Sequence, residues 1–505
     1  MRRSVTLAVA AGLAGLSLTA CGDGSSTEDR GTVTLAVAAA PKKWDPYTFD
    51  WGPMSQAEQA VYDTLIHTRP DGSPAPGLAT SWKYTDPTHF ELTLRRGVRF
   101  SDGEPLDAAA VKKNLDRAKK VVGPKTDQLA AVKSVQAPDA DTVKITLNEP
   151  YPSLPAAFQQ VMGMVASPKA LDAPESLNQN PVGAGPYTLD GSKTVPGDHY
   201  TFKKNPQYWD AKSVGVETLV LKVIPDMTAA LSALRSGQVD ATLGSVNQLD
   251  TAKTLSDVKV LSQPSFFASL NLQDRNGTQV KALKDVRVRQ AIQYAVDRAA
   301  LQKVLGPGSP STQLFLPGTP GFDESLTSAY PHDPAKAKQL LAAAGYPNGF
   351  DLPLVNTDYS NWNDYVQAVS SQLKEVGINV KINNLPLSTY LEAKFKTDNP
   401  AYAWFYNASD NYFDVQYALL KNAKYNPYKV ESPEIEKLAA TAATQQGGEQ
   451  AATLKQLSRR FVTESPMIVT NVVDVFYFYD TKKIKKMEMT ALQPMPSINA
   501  LQPAG

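Results

Sequence analysis

Strand-like and helix-like stretches alternate along most of the chain. Residues 142–147 (TVKITL) alternate apolar and polar side chains, which is the period of a strand with one buried face. Ahead of them, Val111 and Leu115 share one face of a predicted helix, and Asp107 stands where it can cap the first turn. Because strands and helices keep alternating in this way, we predict an α/β fold of stacked layers that includes parallel strands.

Caps and glycine stops define the later elements. Asp333, Pro334 and Gly345 supply the cap, the first residue and the stop of one helix. A long helix is predicted to begin at Asp285 and to run without a break to Gly306. Further helices are predicted after residue 226, over 363–376 and as a pair within 432–465, and further strands over 32–38, 91–94, 238–244, 379–383 and 468–478.

The N-terminus resembles an export signal. Two arginines precede an apolar run over 5–18, which is too short for a comfortable membrane span and typical of a signal peptide. The run ends in Leu-Thr-Ala-Cys, which resembles the lipobox of bacterial lipoproteins, and Cys21 is the only cysteine. We expect a lipoprotein signal peptide over 1–21, lipid on Cys21 and a flexible tether over 22–30. A secreted protein with a chance cysteine is the alternative, and the Sec and twin-arginine routes both stay open.

Composition narrows the function. The 505 residues include 51 basic and 50 acidic side chains and no basic block, so nucleic acid is not expected as a partner. A single cysteine cannot form an internal disulfide. Beyond the N-terminus no apolar run approaches the roughly 18 residues of a membrane span. Lipid is therefore the expected link to the membrane.

No motif for catalysis or cofactor binding stands out. The four histidines are scattered, so no metal-ligating pair is formed, and neither CxxC nor GxSxG occurs. Residues 185–194 approach a P-loop, but the glycines are one residue too far apart, and we predict a loop there. We therefore predict no catalytic residue, no metal and no cofactor, with a secreted lipoprotein enzyme as the less favoured alternative.

Residues 89–117 carry a more specific signal. They read HFELTLRRGVRFSDGEPLDAAAVKKNLDR and resemble the signature of the family 5 extracellular solute-binding proteins of ABC importers, which include dipeptide-, oligopeptide- and nickel-binding proteins. The positions that match are Leu94, Arg95, Gly97, Val98, Phe100, Asp102, Gly103, Pro105, Ala109 and Val111. Asp102 and Gly103 are also suited to a tight turn between a strand and a capped helix.

Other blocks of the chain resemble the same family, in the same order. A generic cap or turn explains any one of them, but it does not explain their order and spacing. The blocks are Trp44-Asp45-Pro46 and the stretches 61–82, 181–187, 286–301, 333–349 and 373–380.

The resemblance implies a bilobed, periplasmic-binding-protein-like fold of type II, with an extra subdomain inserted into the first lobe. The two lobes are joined by two crossing segments and close over the ligand by hinge motion. In this chain lobe I is expected over 31–60, 185–270 and 480–505, the inserted subdomain over 61–184, lobe II over 271–479, and the crossings at 264–272 and near Phe476.

The resemblance also implies a ligand contact. Peptide-binding members of the family use a carboxylate of the second lobe to hold the α-ammonium group of the ligand. This role is carried to Asp410, with Asn411 beside it as a ligand contact. Val415 stands where the family motif has proline, and the spacing differs by one residue from one common form. The alternative is that Asp410 only caps a helix or a turn.

Aromatic residues are the other candidates for the cleft. In the strand-like stretch 401–406 (AYAWFY), alternation predicts Trp404 and Tyr406 on the cleft side and Phe405 in the core. Trp51 and Trp362 are predicted to lie in loops, where packing explains an apolar ring less easily. We group all four cleft candidates with Asp410 as ligand contacts.

These features predict a monomeric lipoprotein on the outer face of the cytoplasmic membrane. It would capture oligopeptides between its lobes and deliver them to the permease subunits of an ABC importer. An oligosaccharide or a nickel chelate is the alternative ligand within the family. A sensor or a chaperone that binds peptides for signalling stays open as an alternative role.

Overall fold

Strands and helices alternate along the chain, as the pattern of apolar positions predicts. The computed structural model describes residues 31–41, 43–48, 55–121, 123, 126–357, 362–490 and 495–504. The strands in this part of the chain are β1 (Thr32–Val37), β2 (Ile66–Thr68), β3 (Pro74–Pro76), β4 (Ala79–Asp86), β5 (His89–Leu94), β6 (Val132–Gln136), β7 (Thr142–Leu147), β8 (Tyr187–Leu189), β9 (His199–Lys204), β10 (Thr218–Val223), β11 (Ala241–Gly244), β12 (Val258–Leu272), β13 (Gly308–Pro310), β14 (Phe350–Thr357), β15 (Ile378–Leu385), β16 (Ala401–Asn407), β17 (Met467–Asp480), β18 (Ile484–Lys486) and β19 (Gln502–Pro503). The helices are α1 (Ser55–Val61), α2 (Ala108–Ala118), α3 (Leu154–Phe158), α4 (Pro168–Asp172), α5 (Met227–Arg235), α6 (Leu249–Lys253), α7 (Val286–Ala295), α8 (Arg298–Leu305), α9 (Pro334–Ala343), α10 (Trp362–Glu375), α11 (Leu387–Ala393), α12 (Asn411–Ala418), α13 (Pro433–Thr444) and α14 (Gly447–Glu464).

One 11-stranded sheet organises the molecule. Its order is β15-β14-β16-β12-β17-β11-β1-β10-β9-β8, and β13 pairs with β17 at the side of this path. β14 runs parallel to both β15 and β16, and β1 runs parallel to both β10 and β11. The predicted α/β fold with parallel strands is therefore confirmed.

The long strands β12 and β17 connect the two groups of parallel strands. They pair with each other in antiparallel fashion along almost their whole length. Residues 266–272 of β12 also pair with β16 in one group, and residues 476–479 of β17 pair with β11 in the other group. Both predicted crossing segments lie on these two strands. The exact lobe boundaries stay a prediction.

A separate four-stranded sheet, β4-β5-β7-β6, forms within the segment predicted as the inserted subdomain. Helix α2 packs beside it with Val111 and Leu115 buried, because these residues share the apolar face of the helix. The predicted cap is confirmed, since the Asp107 carboxylate accepts a hydrogen bond from the backbone N–H of Ala110 at 2.8 Å.

The Trp-Asp-Pro block is tied to the family-like helix α2 by polar contacts. Arg117 forms a two-pronged ion pair with Asp45, and its Nη1 lies 2.9 Å from Oδ1. The hydroxyl of Tyr47 donates to Asn114 Oδ1 at 3.0 Å. Two of the sequence blocks that resemble the family are therefore in direct contact in the folded chain.

Gly185 allows two backbone segments to approach closely. A Cβ atom at this position would lie 2.4 Å from the carbonyl carbon and oxygen of Val61. Gly183 meets the same residue, with a Cβ at 2.3 Å from the oxygen. The glycines of the stretch 181–187 are therefore required by packing against the end of α1.

The predicted long helix from Asp285 to Gly306 is two helices, so that prediction is wrong. Val296 between α7 and α8 has an extended backbone (φ −86°, ψ 117°), and Asp297 caps α8 by accepting from the backbone N–H of Ala300 at 2.9 Å. A carboxylate that bonds to the backbone in this way starts a new helix. Gly306 ends the second helix at φ 88°, as predicted.

Candidate functional site

The carboxyl ends of β14 and β16 lie at the same edge of the sheet, because the two strands are parallel and Val355 is paired with Tyr402. In open α/β sheets, ligands bind outside the carboxyl ends of the strands. At the end of β14, Asn356 Oδ1 and Thr357 Oγ1 are buried and have no hydrogen-bond partner within the part of the chain described. Each unpaired buried group costs about 1–3 kcal/mol, so this edge has unmet polar capacity.

Asp410 lies three residues after β16 and caps helix α12. Its Oδ1 accepts hydrogen bonds from the backbone N–H groups of Tyr412 and Phe413, both at 3.1 Å, and from the hydroxyl of Ser153. Every hydrogen bond that the described residues make to this carboxylate goes to Oδ1, so Oδ2 keeps its capacity for another donor. The side chain is partly exposed. Loss of hydration raises the pKa of Asp410 from its ordinary value.

The capping role of Asp410 is thus established, and its role as a ligand contact stays a prediction. Ser153 belongs to the segment predicted as the inserted subdomain, and Asp410 belongs to the segment predicted as lobe II. The hydrogen bond between them joins these two parts of the chain.

A buried polar network holds the loop around Asp410. The hydroxyl of Tyr406 donates to Asp414 Oδ1 at 3.1 Å, and the backbone N–H of Ser409 reaches Asp414 Oδ2 at 3.3 Å. Asn411 is buried, and its Oδ1 accepts from the backbone N–H of Gly321 at 2.8 Å. Tyr406 and Asn411 therefore position the loop. Their contact with a ligand stays a prediction.

Trp404 is half-buried and lies beside a buried lysine. The Nζ atom of Lys394 is 4.9 Å from the ring centroid of Trp404, 5.0 Å from that of Phe395 and 5.6 Å from that of Tyr425. Burial, with a smaller contribution from Lys424, lowers the pKa of Lys394 to about 8. Cation–π attraction to the rings offsets part of the desolvation cost.

Trp362 is the first residue of helix α10, and its predicted position in a loop is wrong. The ring is fully buried, and its Nε1 donates to the carbonyl oxygen of Ala403 at 3.1 Å. The centroids of Trp362 and Phe405 are 4.1 Å apart. Packing against β16 therefore explains this ring. Phe405, predicted as core, is half-buried.

A second buried polar group lies on helix α1 and was missed by the sequence reasoning. Glu58 is 1% exposed, and its Oε2 has no hydrogen-bond partner among the described residues. Burial raises the pKa of Glu58 to about 8. The neighbouring Gln56 donates from Nε2 to the hydroxyl of Tyr477 on the connecting strand β17 at 3.1 Å. The stretch Ser-Gln-Ala-Glu-Gln has the composition of a surface helix, so no local signal marks it as buried.

Two predicted residues cannot be placed. Cys21, with the lipobox and the tether, and Trp51 lie outside the described residues. Within the described ranges, no cluster of three or more His, Cys, Asp or Glu side chains is arranged to hold a metal ion. In the same ranges no helix is both long and apolar enough to span a membrane.

The continuous sheet with its two long connecting strands, and the Asp410 carboxylate beyond the end of β16, are the features to compare with known proteins. Residues 73–427 match the model of the bacterial extracellular solute-binding proteins, family 5, middle region. Since this match covers more than half of the chain, the chain belongs to that family, and the resemblance seen in the sequence is confirmed. The chain is therefore a bacterial extracellular solute-binding protein of family 5.

Individual relatives agree with this family. The glutathione-binding protein GsiB of Escherichia coli (strain K12) is 29% identical over 362 residues, which are 69% of this chain and 69% of GsiB. HbpA2 from Haemophilus parasuis has a TM-score of 0.82 at 22% identity over 94% of this chain and 100% of its own. DppA from Helicobacter pylori, solved with the peptide STSA, has a TM-score of 0.77 at 22% identity over 94% and 98%. The two structures confirm the bilobed fold.

Proposed function

We propose that this chain is the lipid-anchored, substrate-binding component of an ABC importer for peptides, and that Asp410 holds the α-ammonium group of the ligand. Family membership supports the class of protein. The observation that carries the peptide ligand is the carboxylate of Asp410, in which Oδ1 is filled by three protein donors and Oδ2 is left for another. An ammonium group is a strong donor to such an oxygen.

Two relatives support a peptide as ligand. GsiB is named for glutathione, and DppA was solved with the peptide STSA. Both of these ligands are short peptides or peptide-like molecules. The ligand of this chain is therefore proposed to be a short peptide with a free amino terminus.

The proposed mechanism is closure of two lobes over the peptide. Lobe I is taken as 31–60, 185–270 and 480–505, its inserted subdomain as 61–184 and lobe II as 271–479. β12 pairs with β16 of one group, β17 pairs with β11 of the other group, and the two long strands pair with each other, which suits a hinge. The peptide favours the closed form only to the extent that it binds this form more tightly.

Native mass spectrometry of the purified chain from residue 22 onwards tests the ligand. Adducts with the masses of short peptides that leave on unfolding are expected, and the same spectrum should show a monomer. Adducts with hexose spacing or the mass of a nickel chelate would contradict the peptide proposal and keep the family. An empty protein would then be titrated with synthetic peptides, and peptides with an acetylated amino terminus should bind much more weakly.

The anchor needs its own experiment. The full chain and a Cys21→Ser variant are produced in a bacterial host supplied with a clickable fatty acid, and the membrane and soluble fractions are compared. Label on the wild-type chain in the membrane fraction, lost in the variant, is expected. A variant that is still labelled and membrane-bound would contradict lipid attachment at Cys21.

A further inference from the structure

A cationic cavity of about 270 Å³ lies at the amino end of β16, the end opposite to Asp410. Its wall includes Arg275, Lys284 and Arg289. Arg275 lies three residues after Leu272, the last residue of β12, which pairs with Ala401 at the start of β16. A seven-residue strand is roughly 20 Å long at about 3.3 Å per residue. The residues that line the cavity include neither Asp410 nor Ser153, so it is not the proposed ammonium contact.

Arg289 is 8% exposed and has no carboxylate within ion-pair distance among the described residues. Its Nε donates to the carbonyl oxygen of Glu464 at 2.9 Å, and its Nη1 donates to those of Leu283 and Lys284 at 2.8 and 3.1 Å. Nη2 has no hydrogen-bond partner within the described ranges. A buried guanidinium group thus lines the cavity with an unused pair of N–H donors.

Arg275 lines the same cavity and is also without a carboxylate among the described side chains. Nη1 donates to the carbonyl oxygen of Leu272 and Nη2 to Asn426 Oδ1, both at 3.1 Å, while Nε is left over. Burial and the nearby positive charge of Arg289 lower the pKa of Arg275 to about 10. The repulsion from Arg289 therefore outweighs the attraction that the Glu464 carboxylate exerts on Arg275.

The acidic residues of the cavity wall are already paired with other groups. Glu431 forms an ion pair with Lys421 at 2.8 Å. Glu464 Oε1 accepts from the hydroxyl of Ser432 at 2.7 Å and from Arg460 Nε at 2.8 Å. The charge left inside the cavity is thus positive.

A third buried arginine, Arg298, keeps no unused hydrogen-bond donor. Arg298 also lacks a carboxylate among the described residues, but all three of its nitrogens donate hydrogen bonds, for example Nε to Ser311 O at 3.0 Å and Nη2 to Val469 O at 3.1 Å. Arg298 is fully satisfied by its protein surroundings. Arg275 and Arg289 each keep a donor, and both line a cavity.

We propose that this cavity binds a small organic anion, with its carboxylate or phosphate group on Arg275 and Arg289. Guanidinium groups match both anions through paired N–H donors. Apolar side chains of the wall, Leu419, Val430 and Ile435, would contact the body of the ligand. The volume is close to the lower end of the range for small-molecule sites, about 300 Å³. A bound anion would offset part of the desolvation cost of the two guanidinium groups.

Thermal unfolding of the purified chain tests the site, with inorganic phosphate and succinate as probes at constant ionic strength set with sodium chloride. A ligand that binds only the folded chain raises the unfolding midpoint with its concentration. At least one probe is expected to do so, and Arg275→Gln should raise its apparent dissociation constant about tenfold or more. Which of the two probes acts identifies the anionic group.

Two further variants keep the test decisive. Lys284→Gln changes an exposed residue of the cavity wall, so it serves if the arginine variant does not fold, and it should also weaken the probe. Arg287→Gln is the matched control, because Arg287 is exposed and pairs with Asp285 outside the cavity. Equal midpoint shifts in all variants, or no shift with either probe, would overturn the proposal. Peptide binding should be the same in wild type and Arg275→Gln, so failure of one proposal is separable from failure of the other.

Discussion

The hydroxyl of Ser153 donates a hydrogen bond to Oδ1 of Asp410, a residue 257 positions further along the chain. The same oxygen caps helix α12 through the backbone N–H groups of Tyr412 and Phe413. One oxygen of the carboxylate thus holds the fold and joins two segments, and the other has no hydrogen-bond donor among the described residues. Because the two oxygens have different contacts, the negative charge of Asp410 can be tested separately from its role as a helix cap.

Replacing Asp410 by Asn should weaken peptide binding and leave the fold intact. The amide keeps an oxygen that can accept from Ser153 and from the cap N–H groups, but it loses the negative charge. A hydrogen bond to a charged group contributes about 1.5–3 kcal/mol, so the dissociation constant should rise about 10- to 100-fold. Isothermal titration calorimetry with a short peptide measures this change.

Asp364→Asn is a suitable control, because Asp364 is an exposed residue of α10 and its substitution removes the same charge. It should bind peptide as the wild type does. If Asp410→Asn also binds with unchanged affinity while remaining folded, Asp410 is only a helix cap and the proposed ammonium contact is wrong.

Peptide affinity should fall on acidification. The raised pKa of Asp410 means that the ligand-free folded chain protonates this carboxyl above the usual value of about 3.9. Protonation of Asp410 therefore stabilises the ligand-free folded chain most at low pH, and this contribution is lost as the pH rises through the folded-state pKa. An ammonium ligand, in contrast, requires the ionised carboxylate. Calorimetry between pH 7 and pH 4 with an amidated peptide should show the loss, and Asp410→Asn should remove the pH dependence that this carboxyl causes.

Glu58→Gln should change the pH dependence of stability. The pKa of Glu58 is about 8 in the folded chain against an ordinary 4.5, so its contribution to stability is full below about pH 4.5 and is lost as the pH rises through 8. Between these values the wild type should lose about 1.4 kcal/mol per pH unit relative to the neutral glutamine variant. Urea unfolding at pH 5, 6, 7 and 8 measures the difference. The exposed control Glu392→Gln should show the same dependence of stability on pH as the wild type. If Glu58→Gln also showed the wild-type dependence, Glu58 would be ionised in the folded chain.

Gly185→Ala should destabilise the chain by about 3 kcal/mol, since its Cβ would lie 2.4 Å from the backbone of Val61. Gly191→Ala is the matched control, because it is exposed and its Cβ would have no atom within 4 Å. Thermal and urea unfolding of both variants measure the effect. Equal stability of the two would mean that α1 moves away from residue 185 at little cost.

Much of the local structure was predictable from neighbouring residues. Asp107, Asp297 and Asp333 cap helices by bonding to N–H groups three residues later, and such contacts depend on only a few positions. The prediction failed at Asp297, where the apolar pattern continues across two helices and hides the break between them. A periodic pattern shows which residues face the core, but it does not show that one residue between them leaves the helical conformation.

The candidate site was predictable only in part. The family-like stretch placed Asp410 after a strand, and the structure confirms that position and the alternative role as a cap. Its partner Ser153 lies in a distant segment, so no local pattern indicates it. The packing of Trp362 against Phe405 was missed for the same reason, because α10 and β16 are brought together only by the sheet order.

The sequence alone determined the family, the α/β class and most helices and strands, because periodicity, caps and ordered motifs act over short distances along the chain. The tertiary structure decided which oxygen of Asp410 has no protein donor among the described residues, that Glu58 is buried, and that Arg275 and Arg289 line one cavity. These facts depend on contacts between residues far apart in sequence. Such contacts exist only once the long strands β12 and β17 have brought the separate segments into one sheet.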